Sequence, residues 1–446
     1  MLFLFYTPCQ VAFDAGMRRN QSDLNGTLRP AVIFSGLGWL MGMMLVTWPV
    51  ACARPAEVAA TASLNQVLRA YVESGRVPGV VAVAATGDRV LHEGAFGRAD
   101  LESEEPLKLD ALFRIASMAK PITSVAVMQL MEQGKVSLGA SADRYLPELA
   151  KLKVLEGFDD QGQPRLRNAA RPPTIRELLS NTSGYAYTGW NEDMRRYLDM
   201  ERKAGRGVTA LDYPLVSDPG TRWEYGPSTR VLGLIVEKIS GANLEEYFRE
   251  HIFIPLGMND TLYQVPADKW SRITRLHARQ QNGGVAISGP KPGPNPPQVR
   301  QFHGDGGLVS TGPDYLRFVR AMVRGGELDG ARILKEETVD LMGRNHIGGF
   351  RAGEMISASP ELSYDVHLFP GATNKFGYGF LLNAEPVTGG RAAGSLMWAG
   401  AFNTYFWIDR TQGVGGVVMT QIRPFADPVV LQLLEAYEKA VYALPR

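Results

Sequence analysis

Ser117-Met118-Ala119-Lys120 places a hydroxyl and an amine three residues apart. On a helix such residues are neighbours, so the Lys120 amine can reach the Ser117 hydroxyl. A serine hydroxyl is a poor nucleophile until a base takes its proton. A lysine becomes that base when burial and nearby cations lower its pKa. The chemistry on offer is acyl transfer through an ester on Ser117. With 21 serines and 12 lysines in 446 residues, the spacing should arise about 0.6 times by chance, and it occurs twice. The second occurrence, Ser288 to Lys291, sits among prolines and glycines, where nothing holds the pair on one face. Ser117 instead precedes the helical pattern Ile122, Val125, Met128, Leu130 and Met131, which ends near Gly134. Pro121 fits a first turn, whose N–H groups have no intrahelical partner. The helix N-terminus adds positive potential and free N–H groups for a developing oxyanion. Taken alone, the pair also fits an N-cap serine followed by a solvated lysine.

Other chemistries lack their motifs. The chain has no G-x-S-x-G, no H-E-x-x-H and no P-loop, and the histidines at 92, 251, 277, 303, 346 and 367 are scattered. His303-Gly304-Asp305 is the nearest approach to a metal pair, and without a third ligand His303 reads as structural. No metal or organic cofactor is expected. With 47 basic against 46 acidic side chains there is no global field for nucleic acid, so a nucleic-acid partner is not expected.

The elements that must position Ser117 are legible in outline. Residues 56–76 have helical spacing, and VVAVAA, a Gly87-Asp88 turn and VLHEGAFG read as a hairpin. TYFWID and VGGVVMTQ around an RTQG turn predict a second hairpin, followed by a helix over Pro428–Leu444. Helical patterns run through Pro121–Gln133, Ile175–Ser180, Ser228–Ser240 and Asn243–Ile254. Strands at both ends with helices between predict one sheet built from distant segments. Asn282–Arg300, with five prolines and four glycines, reads as a loop, and Asp159–Pro173 as an exposed excursion.

Residues 31–53 form an uncharged stretch behind Arg18, Arg19 and Arg29, ending Ala51-Cys52-Ala53. That order matches a secretory signal peptide cleaved after Ala53, with export to the periplasm or medium. The same 23 residues could instead remain as a membrane anchor. If the leader is removed, no stable membrane partner is expected. Both cysteines, Cys9 and Cys52, go with it.

The segment FRIASMAKPITSVAVMQLMEQGKVSL resembles the class C β-lactamase-like serine hydrolase superfamily, nearest to its family VIII carboxylesterases. PTIRELLSNTSG, DPGTRWEYGPSTRVLGLIVEKISG, GDGGLVSTGPDYLRF and MWAGAFNTYFWIDRTQGVGGVVMTQ follow in the family's order. The resemblance implies an α/β (α+β) fold of the β-lactamase/transpeptidase type. Its antiparallel sheet, flanked by helices, would use about 54–140 and 300–446, with a mostly helical lobe about 141–299. It also implies that Tyr225 is the catalytic tyrosine, forming a coupled base pair with Lys120. By the same carry-over, the N–H groups of Ser117 and Ala401 hold the oxyanion, and Gly400 lets substrate approach the strand. Tyr187 lines the pocket or has a structural role, and Gly306 and Gly307 permit close packing. The loop Asn282–Arg300 would shape the acyl pocket.

Two departures set the expected substrate. Tyr225-Gly226-Pro227 lacks the Asn of Tyr-x-Asn, and Trp398-Ala399-Gly400 replaces Lys-Thr-Gly. The first removes an amide that orients a lactam, and the second removes a cation that grips a carboxylate. The expected activity is therefore hydrolysis of short-to-medium acyl esters, with a small-molecule ester as partner. A β-lactamase, D-alanyl peptidase or acyltransferase of the same superfamily is the alternative. A non-catalytic binding protein on the same fold is the other.

Overall fold

The computed structural model describes residues 55–368 and 372–445, so the leader expected over 1–53 lies outside them. Ala53–Arg446 forms one compact unit. Its sheet combines β1 (Gly79–Thr86), β2 (Val90–Gly97), β3 (Asn374–Phe376), β4 (Leu381–Asn383), β5 (Leu396–Gly400), β6 (Thr404–Asp409) and β7 (Val414–Met419). The order is β3-β4-β5-β6-β7-β1-β2, antiparallel throughout. Both expected hairpins are present, and β7 joins them by pairing Val81 with Met419 and Thr86 with Val414.

Five longer helices matter for the site: α1 (Pro55–Glu73), α2 (Ala119–Glu132), α3 (Ser228–Ser240), α4 (Gly312–Val323) and α5 (Pro428–Tyr442). Successive residues of a strand face opposite sides of the sheet. A Cβ on Gly415 would meet Val319 of α4 at 2.4 Å, and one on Gly416 would meet the Trp407 ring at 2.3 Å. Trp407 packs edge-on against Tyr437 of α5. Hence α4 covers one face and α5 the other, and the two glycines let each come close.

Helix α2 is buried at every position from Ala119 to Leu130, so its side chains are enclosed on all sides rather than along one stripe. That burial is what removes Lys120 from water.

Two expectations change and one gains detail. The helix expected over Asn243–Ile254 is α-helical over Leu244–Phe248 and then widens to a π turn, Arg249–Phe253. Pro255 follows with no N–H to give the His251 carbonyl, and Gln129 Nε2 of α2 donates to that carbonyl instead, at 3.0 Å. The excursion at Asp159–Pro173 contains a strand, Pro164–Asn168, paired with Lys153–Phe158. Within Asn282–Arg300, Val285–Ile287 pairs with His277–Arg279, so only the remainder is loop.

Candidate active site

Ser117 sits in a single 3-10 turn, Ala116–Met118, that runs directly into α2. The turn is pinned from both sides. Ile115 N donates to Leu308 O at 3.1 Å, and Tyr315 Oη of α4 donates to Met118 O at 2.8 Å. Ala116 holds φ 45, a left-handed conformation that costs a non-glycine residue about 1–3 kcal/mol and tends to mark functional sites.

Tyr225 ends a loop that leads into α3. Its backbone carbonyl accepts from Tyr187 N at 3.0 Å. A Cβ on Gly226 would lie 2.2 Å from Tyr185 O, so glycine is needed where the two loops touch. The Tyr225 ring is buried among Trp398, Tyr187 and Trp190, at centroid distances of 5.0, 5.2 and 5.2 Å. Burial raises its phenol well above the ordinary tyrosine value, while a hydrogen bond with Ser117 pulls the other way. The Trp398 indole N–H also favours the ionised phenol, although it completes no hydrogen bond.

Lys120 is 2 % exposed, and burial lowers its ammonium to about 8. Asp305 opposes that shift and Arg230 adds to it. The ammonium donates to Tyr187 Oη at 2.8 Å and to the Asp305 carbonyl at 3.2 Å. It lies 4.9 and 5.3 Å from the ring centres of Tyr187 and Tyr225. Where the i,i+3 spacing pointed the amine at Ser117, the hydrogen bonds of Lys120 go to Tyr187 and Asp305. Ser117 lies inside the 3-10 turn and Lys120 inside α2, so the two residues do not share one regular α-helical face.

Asp305 and Arg230 were missed from the sequence. Asp305 is flanked by Gly304 and Gly306, a pattern that suggested only an incomplete metal pair. Arg230 carries no signal beyond being a charge near the start of α3. Arg230 Nε donates to Asp305 Oδ1 at 2.9 Å, and Tyr187 Oη donates to Asp305 Oδ2. Burial pushes the Asp305 carboxyl up, but Lys120, Arg230 and these hydrogen bonds outweigh it and hold the group below the usual range.

A cavity of about 440 Å³ is lined by Ser117, Tyr187, Tyr225 and Ala401, with Trp190 and Phe425 as its apolar wall. His303, read as structural, also lines it, while its carbonyl accepts from Tyr263 Oη at 2.7 Å. Trp398 joins Ser117, Tyr225 and Ala401 around a narrower pocket on the sheet side. Pro296, Pro297 and Val299 of the proline-rich loop line a neighbouring cavity of about 320 Å³, which shares Asp305, Gly306, Gly307 and Phe402 with the first. A Cβ on Gly306 would make only ordinary contacts. The close approach belongs to Gly304, where it would meet Thr229 O at 2.5 Å.

Gly400 borders neither pocket that Ser117 lines. Its Cβ would fall 2.2 Å from Ile115 O and 2.3 Å from Thr404 Oγ1. The glycine therefore lets the turn that carries Ser117 approach β5. Gly400→Ala should destabilise by about 1–3 kcal/mol and also lower kcat, since Ile115 lies two residues before Ser117. Urea unfolding beside initial rates checks this, and an unchanged variant would show that the turn yields freely.

The Beta-lactamase family model matches residues 64–437. Monacolin J acid methylbutanoyltransferase of Aspergillus terreus is 30 % identical over 85 % of this chain and 95 % of its own. Lovastatin esterase of Penicillium rubens is 30 % identical over 85 % of this chain and 98 % of its own. Unliganded simvastatin synthase of A. terreus superposes with a TM-score of 0.74 at 28 % identity, covering 88 % of this chain and 99 % of that one.

Proposed function

The chain belongs to the Beta-lactamase family, and we propose on that footing that it is a serine carboxylesterase working through an acyl-enzyme on Ser117. The observation that carries this reading is that Ser117 and Tyr225 line the same cavity beside a buried lysine, Lys120, whose ammonium burial lowers to about 8. Near that pH a substantial share of Lys120 is neutral amine and can accept a proton. Ser117 Oγ bonds to the ester carbonyl carbon as its proton moves to Tyr225, and Tyr225 releases its own proton toward Lys120. The backbone N–H groups of Ser117 and Ala401 receive the oxyanion. The C–O bond to the alcohol then breaks, and the departing alkoxide takes a proton back through Tyr225. Water repeats the sequence in reverse to free the acid.

Two replacements favour esters over lactams. Pro227 forms the N-cap of α3 and has no side-chain amide, and Trp398, 3 % exposed, stands where a lysine would grip a carboxylate. A second reading is acyl transfer to an alcohol other than water. It is favoured by the methylbutanoyltransferase relative, which matches over the same share of the chain as the esterase relative. Export through the leader, and the ester as small-molecule partner, belong to the same proposal.

The test gives the purified protein short p-nitrophenyl esters and a chromogenic cephalosporin, with and without a second alcohol. Ester turnover yielding free acid supports the esterase. Product ester that outpaces acid when the alcohol is present moves the assignment to acyltransferase, and comparable cephalosporin turnover moves it to β-lactamase. In this mechanism only neutral Lys120 accepts the proton. The kcat/KM should therefore rise with pH through an apparent pKa near 8, belonging to the coupled Lys120–Tyr225 pair. A flat profile from pH 6 to 9 would contradict Lys120 as the base.

A further inference from the structure

We infer that Asp305, anchored by Arg230, is a positioning residue that fixes the direction of the Tyr187 hydroxyl and so locks the Lys120 amine beside Ser117 and Tyr225. The inference rests on the acyl-enzyme reading and adds to it residues that do not touch the reacting atoms.

The argument begins with which atoms can donate. A guanidinium only donates, and an ionised carboxylate only accepts. Arg230 Nε on Oδ1 therefore leaves Asp305 Oδ2 as an acceptor for the single hydroxyl proton of Tyr187. With that proton committed, the Tyr187 oxygen can meet Lys120 only as an acceptor, and Lys120 Nζ donates to it at 2.8 Å. Asp305 holds the amine a second time through its backbone carbonyl, at 3.2 Å. Two of the lysine's three nitrogen positions are thereby occupied. The third, the lone pair of the neutral amine, is left for the proton that Tyr225 releases as it takes the one from Ser117. A free lysine side chain carries about 2 kcal/mol of rotamer entropy, so an amine held at two points is pre-organised before substrate arrives.

The scaffold around Asp305 is built to stay in place. Gly304 is wedged so tightly that a Cβ would meet Thr229 O of α3 at 2.5 Å and Thr123 Cγ2 of α2 at 3.0 Å. Thr123 Oγ1 donates to Gly304 O at 2.6 Å, one residue before Asp305 and three after Lys120. The carboxylate, the arginine and the lysine are thus referenced to the same two helices. A merely structural ion pair would not need its carboxylate to carry the hydroxyl that touches the base.

The charges around the amine also make the test directional. Asp305 and Arg230 act on Lys120 with opposite signs. Tyr187 and Tyr225 face the amine with their rings, and His303 and Tyr263 face Asp305 from neighbouring segments. All four are neutral at the pH of the assay, since burial lowers His303 and raises the three phenols. Removing the anion should lower the proton affinity of Lys120, and removing the cation should raise it.

The experiment measures kcat and kcat/KM against pH for the wild type, Asp305→Asn, Arg230→Gln, Arg230→Lys and Tyr187→Phe with a p-nitrophenyl ester. Circular dichroism and thermal unfolding check each fold. Mass spectrometry of a quenched reaction reports the acyl adduct on Ser117. Asp305→Asn and Tyr187→Phe should each lower kcat by at least tenfold with KM within about threefold. The acidic limb should move to lower pH in Asp305→Asn and to higher pH in Arg230→Gln, with Arg230→Lys returning it toward the wild type. Folded variants whose limbs stay put, or move in the same direction, overturn the positioning role. If Asp305→Asn does not fold, Arg230→Gln and Tyr187→Phe decide alone. An absent wild-type adduct on Ser117 would instead remove the acyl-enzyme reading, which separates the two failures.

Discussion

Ser117→Ala is expected to lower ester turnover by at least about 10⁴-fold while leaving the fold intact. Ser117 is half-buried in the turn before α2, and its hydroxyl serves Tyr225 rather than any element of the core. Its loss therefore removes the attacking atom without opening a cavity. Lys120→Ala should cost nearly as much, because an amine that cannot take the proton leaves the serine inert. The double variant should be no slower than Ser117→Ala alone, since residues acting in one proton-transfer unit do not contribute additively. Residual rates at three levels of purity distinguish true turnover from a contaminating esterase. Turnover within tenfold of wild type in Ser117→Ala would end this mechanism. Near-additive losses would show that Lys120 acts elsewhere.

Arg391→Leu should cost about 3–5 kcal/mol of stability. Arg391 is 1 % exposed, and its Nε donates to Glu438 Oε1 at 2.8 Å, with a second bond from its other nitrogen to Oε2. The pair ties the chain entering β5 to the last turns of α5, across the face opposite α4. Removing the cation strands a carboxylate in a site that offers it little water. Replacing both partners, Arg391→Leu with Glu438→Leu, should recover part of the loss, because two buried charges are then exchanged for apolar contact. Urea midpoints for the two single variants and the double give the coupling. If the double is no better than the worse single, the destabilisation comes from lost packing rather than from the orphaned charge.

Local rules made much of the site legible. Ser117 and Lys120 lie in a segment whose own pattern marks them, a hydroxyl before a helix and an amine one turn on, whereas Tyr225 was marked only by the resemblance. Trp398 and Pro227 stood out because they replace residue types with different chemistry. The hairpins at 79–97 and 404–419 were readable because alternation and turn residues act within ten positions. Two details lie beyond such rules. The clearance at Gly400 is taken by Ile115 O, which only the packing of the turn on β5 reveals. The proline-rich stretch was read as loop, although Val285–Ile287 finds a partner strand that carries no mark in its composition.

The sequence by itself singled out Ser117 and Lys120 by residue type and spacing over one turn, while its resemblance to the superfamily supplied Tyr225 and the kind of sheet. Tertiary structure alone decided how those groups are wired. Lys120 meets the Asp305 carbonyl across 185 residues, Arg230 meets the Asp305 carboxylate across 75, and Arg391 meets Glu438 across 47. Helical and strand periods record which side of an element is apolar, not which distant polar group will be brought against it. A charge whose partner is chosen by chain packing leaves no periodic trace. The lowering of the Lys120 ammonium to about 8 is likewise a property of what encloses α2.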